Sequence, residues 1–434
     1  VVFDSDLDVL QNVDLVSSHE YIDFTDRDYW GIASQRILLN STATIKLRNG
    51  AGLKGLLVYR KGMTFPAAGL TVTEVALYAG TAVTVLSASP YIRHCTFLGF
   101  TRAIDTDSAV NTPRGRMEFL NIDCTNGVRI DLDLGSWTLD DVFCHPFLSN
   151  TDADNIRTGI GFDLKNRSDW TTLNGCFAFQ DTGFKLTACN QIKFINCMAD
   201  HPTDGTDTFH TGTGFDISGD SVDNFFIGCQ TASHNRGWDQ DVSDGNANYL
   251  SDCHMWNMNS SGFGVVVEGG DLHINGGRIG EFFSSSGKGI FVGDVNSKVY
   301  VNGGTHFIGL ATAIDSPTFS QVIVDPSCTF ETISSSIRTN EALPQVASAG
   351  TITLPNNVPV VELTGTTTIG TIGGANRLPH ETVTLIFAGN ITVNHGATGV
   401  RLNGSANQAF TTGSTLTLVY TTGNVWYETG RMIA

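Results

Sequence analysis

The chain has 434 residues, 41% hydrophobic and only 16% charged, with 47 glycines and a formal charge of −18 from 25 basic and 43 acidic residues. That balance argues against nucleic acid or an anionic membrane as the main partner, and no run of about 18 apolar residues is present to insert into a bilayer. The length leaves room for more than one folding unit. Val, Ile, Thr and Phe set between Gly, Asn, Asp and Ser clusters predict an all-β chain. The sequence opens Val-Val-Phe, with neither Met nor a basic-then-apolar signal, which suggests that an N-terminal portion is missing. Nine cysteines without CxxC pairing predict buried free thiols and folding in a reducing cytoplasm.

Residues 1–80 carry short apolar runs such as Ile37-Leu-Leu and Ala43-Thr-Ile-Lys-Leu. These are expected to form a capping region and the first coils of a longer solenoid. From Val83 a repeat emerges: Ile92-Arg-His-Cys95, Leu120-Asn-Ile-Asp-Cys124, Leu139 to Cys144, Leu173-Asn-Gly-Cys176, Phe194-Ile-Asn-Cys197, Phe226-Ile-Gly-Cys229 and Tyr249 to Cys253. Ile274-Asn-Gly-Gly277, Val301-Asn-Gly-Gly304 and Val324 to Cys328 continue it, at spacings of 20 to 32 residues. One short strand leading into a small residue at that period predicts a right-handed parallel β-helix, a solenoid of stacked coils. A second column places Gly, then an apolar residue, then an outward residue: Gly161-Phe-Asp163, Gly183-Phe-Lys185, Gly214-Phe-Asp216, Gly237-Trp-Asp239 and Gly262-Phe263. Here Gly is expected to turn the corner and the apolar residue to point inward.

The distance from Cys to Gly varies, from 3 residues at Cys124 and 7 at Cys176 to 17 at both Cys144 and Cys197. Insertions at Pro146–Thr158 and Asp200–Thr213 are thus expected to line up at one corner as two walls, with the coil of Cys176 as a low floor between them. Near residue 340 the pattern breaks, and residues 341–434 read as a small antiparallel β-sandwich for trimerisation or carbohydrate contact.

The outward column supplies the chemistry. Lys185 lies between Asp163 and Asp216 and is placed to neutralise both, whereas Asp216 and Asp239 are successive carboxylates with no cation between them. Two carboxylates that close do not both ionise freely, which is the requirement for an acid and a base in glycosidic hydrolysis. Asp204, Asp207 and Asp241 are further catalytic candidates. Asp200, His201 and His210 in the second insertion, His234, Arg236 and Trp238 beside Asp239, and Trp256 and Glu268 on later coils are candidate substrate contacts. No spacing fits a metal site, a Walker loop or a dinucleotide fingerprint, so no cofactor is expected.

The helical columns resemble the pectin-lyase-like superfamily. Leu385-Ile-Phe, Ile391-Thr-Val-Asn-His395-Gly, Gly399-Val-Arg-Leu402, Leu416-Thr-Leu-Val-Tyr and Trp426-Tyr-Glu428-Thr-Gly-Arg431 resemble the C-terminal domain of bacteriophage tailspikes. This resemblance implies a homotrimeric tailspike of the virion tail, attached to the phage tail or baseplate through a missing N-terminal region. It implies action on a bacterial surface polysaccharide, capsule or O-antigen. Such proteins cleave by hydrolysis or by lyase elimination; endo-glycosidic hydrolysis by the paired carboxylates is the leading expectation, with a polysaccharide lyase or a non-catalytic glycan-binding protein as the alternatives.

Overall fold

The computed structural model describes the chain except residues 17–35, 64–68, 107–110, 132–134, 149–156, 167–168, 202–211, 257–261, 281–286, 317–320, 326, 340–343, 356–359, 374–380, 397–398 and 422–424, with the backbone alone at 332–339. Its unit is a coil of three short strands. In one coil Thr182–Thr187 lies on a first face, Lys193–Ile195 on a second and Met198–Asp200 on a third. Each pairs in parallel with its counterparts one coil before and one coil after. That stacking is a parallel β-helix. Val2–Phe3 pairs with Arg36–Leu39, and that strand with Leu57–Arg60, so the described strands of the first eighty residues already belong to coils of the same helix.

Inward side chains stack along the interior. Phe162, Phe184 and Phe215 lie face to face at 4.8 Å centroid spacing, and Trp238 meets Phe226 edge-on at 4.5 Å. Each such contact adds about 0.5–1.5 kcal/mol beyond its area. The tight corner between second and third faces is made by a residue in the left-handed region: His94, Phe119, Asp141, Gly175, Asn196, Gly228, Asp252, Gly276 and Gly303. Gly, Asn and Asp tolerate that backbone best, which is why they recur before the small buried residue.

Two alignments shift. Leu120 pairs with Val142, each following a left-handed residue, so these two fill the small-residue slot in their coils. Cys124 and Cys144 lie further along the third face, with Cys144 opposite Ala178. Phe263 pairs with Arg236 and Lys288, and Val265 is the residue opposite Trp238. Phe263 therefore faces outward, beneath the Lys288 ammonium at 4.9 Å. The column glycines also differ from expectation, because none of Gly161, Gly183, Gly214 or Gly237 has a positive φ. A Cβ on Gly183 would sit 2.5 Å from the Ala199 Cβ and 2.7 Å from the Gly214 carbonyl. Close approach between faces and coils, not turning, excludes a side chain there. All nine cysteines are free, eight of them buried; the Cys176 thiol donates to the Leu139 carbonyl at 3.5 Å and that of Cys197 to Leu173 at 3.4 Å.

The helix, Val1–Ser316 with Gln321–Arg338, is one compact unit, and Thr339–Ala434 belongs to a second. The sheet of that second unit is mixed rather than purely antiparallel. Gln345–Ala347, Val360–Thr364 and Thr382–Phe387 pair in parallel, because Thr351–Thr353 and Thr371–Gly373 form crossover strands between them. The next pairings, to Thr415–Thr421 and on to Val425–Met432, are antiparallel. Leu363, Leu385, Leu416 and Trp426 are among the residues of its separate core.

Candidate active site

On the outer side of the first face the register stacks Asp105, Arg129, Asp163, Lys185, Asp216 and Asp239, one per coil. Neighbouring rungs are about 4.8 Å apart. Charge alternates up this ladder until Asp216 meets Asp239, the one like-charged step in that run. Arg129 binds Asp105 at 2.5 Å. The Lys185 ammonium donates to Asp216 Oδ2 at 2.6 Å, while Arg129 and Arg102 supply positive charge near Asp163.

Asp239 is served from the side. Arg236, on the same strand, donates to its Oδ2 at 2.7 Å and also lies 3.5 Å from Glu268. Its other oxygen, Oδ1, is buried and has no hydrogen-bond partner. Burial raises the Asp239 pKa, Arg236 opposes that rise, and Glu268 and Asp216 add to it. Asp239 is therefore a carboxyl biased toward its protonated form, one coil from a carboxylate that holds a lysine.

The other expected residues divide. Asp241 is exposed on the same strand, opposite Ser218. Glu268 is exposed and tied into the site through Arg236. Trp256 is half-buried at the end of the third-face strand His254–Trp256. Asp200, at the neck of the second insertion, is pushed upward in pKa by burial. Three expectations of direct substrate contact are corrected by burial. Trp238 is fully buried in the aromatic stack, and His201 and His234 are buried against each other with ring centroids 5.6 Å apart. A polymer on the surface touches none of the three. Asp204, Asp207 and His210 lie outside the described residues.

Two features escape sequence reasoning. Asp123 is buried and accepts hydrogen bonds from Tyr78 Oη at 3.0 Å, Arg157 Nη2 at 2.9 Å and the Leu148 amide at 3.2 Å. Leu148 and Arg157 stand near the two ends of the first insertion, so one carboxylate staples its neck. Nothing in a lone Asp within Leu-Asn-Ile-Asp-Cys signals this. On the third face Phe143, His145, Phe147, Phe177 and Phe179 form an aromatic cluster, with neighbouring centroids 4.9 to 6.4 Å apart. Phe177 and Phe179 belong to the coil of Cys176, whereas most of the two insertions expected as walls beside that coil, 149–156 and 202–211, lies outside the described residues. Aromatic residues on alternate positions of Phe177-Ala-Phe179 are the available signal.

No protein-family model matches the sequence, and no curated protein matches it. Among solved structures, the chain is similar to the gp42 tailspike of Acinetobacter phage vb_AbaP_AS12, with 13% identity over 90% of this chain and 71% of that one, at a TM-score of 0.33. PfbA, a surface adhesin of Streptococcus pneumoniae, is 8% identical over 93% of this chain and 92% of its own, at a TM-score of 0.17. At such values neither likeness assigns a role to any residue.

Proposed function

We propose that the protein is a tailspike that binds a bacterial surface polysaccharide and hydrolyses it within the chain, with Asp239 as general acid and Asp216 as its partner carboxylate. One observation carries this reading: Asp216 and Asp239 are adjacent rungs in unequal surroundings, and Asp239 alone combines burial, an unpartnered oxygen and a raised pKa. Pairs whose environments push them apart are how one site runs acid and base chemistry. A separation of roughly one coil, about 4.8 Å, is close to the 5–5.5 Å typical of retaining glycosidases. Asp216 then attacks the anomeric carbon while Asp239 protonates the leaving oxygen, and Asp239 next takes a proton from the water that releases the sugar. Asp241, Glu268 and Arg236 border the pair. The homotrimeric state and the virion-tail location rest on the resemblance of the C-terminal segment.

Glycan binding without cleavage is the second reading. It is favoured by the cation already bound to each acid, Lys185 on Asp216 and Arg236 on Asp239, as Arg129 is on Asp105 lower in the ladder. Incubating the chain with purified capsular and O-antigen polysaccharides and sizing the products decides. New reducing ends without an unsaturated sugar support hydrolysis. An unsaturated sugar would mean elimination, and polymers of unchanged length would leave the binding reading standing.

A further inference from the structure

The second face carries a groove that the acid pair does not use. It encloses about 390 Å³ and is lined by Trp170, Thr172, Gln191, Lys193, Asp223 and Phe225. Thr172, Lys193 and Phe225 are the first outward residues of three successive second-face strands. Trp170, Gln191 and Asp223 occupy one turn position on the same three coils, each two residues before its strand. All three have left-handed backbones, with φ of 60°, 58° and 56°. For non-glycine residues that conformation costs roughly 1–2 kcal/mol each, so the turn is held by what surrounds it. The holding groups are visible. The amides of Trp170, Gln191 and Asp223 donate to the carbonyls of Asn190, Val222 and Ala247 on the next coil. Behind them the buried Asn224 donates to Cys189 and to Asn248, which in turn donates to Gln240.

This rigid frame presents an unusual surface. Trp170 is 69% exposed and Phe225 37% exposed. Phe225 stacks on Tyr249 at 5.0 Å, Tyr249 on His273 at 5.0 Å and His273 on Tyr300 at 4.5 Å. Neighbours cover the inner faces of that ring stack; Phe225, at its end, meets the groove. Lys193 and Asp223, of opposite charge, are in no salt bridge among the described residues and leave the groove without net charge. A preformed cavity with an aromatic wall and a few polar groups is the common form of a small-ligand site. Large rigid aromatic faces bind at low entropic cost, and side-chain amide, ammonium and carboxylate groups satisfy hydroxyls.

We propose that this groove is a non-catalytic subsite for one sugar residue of a neutral saccharide, with Trp170 and Phe225 as the apolar platform and Gln191, Lys193 and Asp223 bonding its hydroxyls. The inference rests on the saccharide reading of the protein but not on hydrolysis. The probes are glucose, galactose, N-acetylglucosamine and N-acetylgalactosamine, each titrated against the full chain by saturation-transfer NMR and tryptophan fluorescence. At least one binds saturably. Trp170→Asn, which retains a residue tolerant of the left-handed turn, weakens it about tenfold or more, as loss of a central aromatic anchor does. Phe225→Ala does the same from a regular strand position. Absence of saturable binding by all four sugars, or binding untouched by both substitutions, overturns the subsite. Polymer cleavage is read separately: a chain that binds a sugar here and releases no reducing ends keeps the groove and loses the hydrolase.

Discussion

Asp123 and Asp239 are both carboxylates withdrawn from solvent on the same helix, yet they differ in how completely they are satisfied. Asp123 receives a tyrosine hydroxyl, a guanidinium and a backbone amide, all from buried groups. Asp239 has one guanidinium on one oxygen and nothing on the other. A buried charge with its hydrogen bonds complete is structural, since moving any partner costs more than it returns. A carboxyl left partly unsatisfied next to another carboxylate is free to change protonation, which is what acid catalysis needs.

The comparison breaks most severely at Arg157. Replacing it with Met leaves Asp123 buried without its cation and should cost roughly 3–5 kcal/mol, read as a fall in the urea midpoint. The double variant Asp123→Leu with Arg157→Met should recover much of that loss, because it removes the stranded charge. If Arg157→Met melts like wild type, the staple at the first insertion holds nothing.

At Asp239 the expected pattern is reversed. Asp239→Asn should lower reducing-end release about 10²–10⁴-fold, the range that general acid catalysis contributes, while the urea midpoint stays level or rises. Asn cannot donate the proton but also bears no charge that burial disfavours. Full activity in that variant removes Asp239 from the chemistry.

Two milder substitutions sharpen the assignment. Arg236→Gln removes the cation that opposes the raised Asp239 pKa, so the basic limb of the pH–activity profile should move upward. Glu268→Gln removes a negative neighbour and should move the limb downward by less, Glu268 being 45% exposed and screened. Limbs that stay put would show that another group sets the profile.

How far the molecule is legible in its sequence depends on the range over which each feature is determined. The coil period, the inward Phe column and the Asp216–Asp239 adjacency depend on local strand parity, and a two-residue period is written into the chain. Cys124, Cys144 and Phe263 fall outside their expected slots because residue type is a poor proxy for register. The left-handed corner, which Phe119 and Asp141 also adopt, is the truer marker. The burial of His201 and His234, and the Tyr78–Asp123–Arg157 staple, arise between coils distant in sequence. Trp238 carries two expectations, inward packing and substrate contact, and a fully buried ring meets only the first.

His234 extends the contrast to a base. It is fully buried, neither ring nitrogen has a well-aligned hydrogen-bond partner among the described residues, and burial lowers its pKa to about 3, with His201 adding to the drop and the nearby Ala232 and Gln180 backbone and the Asp181 carboxylate opposing it. In the unfolded chain an ordinary imidazole titrates near 6.5. Between those values the unfolded state binds a proton that the folded state refuses, so this residue's contribution is intact above about pH 6.5 and lost progressively as the pH falls toward 3. The slope from one such group is at most about 1.4 kcal/mol per pH unit. His234→Phe keeps a planar ring and removes both the titration and the two unpaired nitrogens. Its urea midpoint at pH 7 should therefore match or exceed wild type, and its loss of stability from pH 6 to pH 4 should be shallower. Equal slopes in the two proteins would place the acid sensitivity in other groups and leave His234 an inert part of the packing.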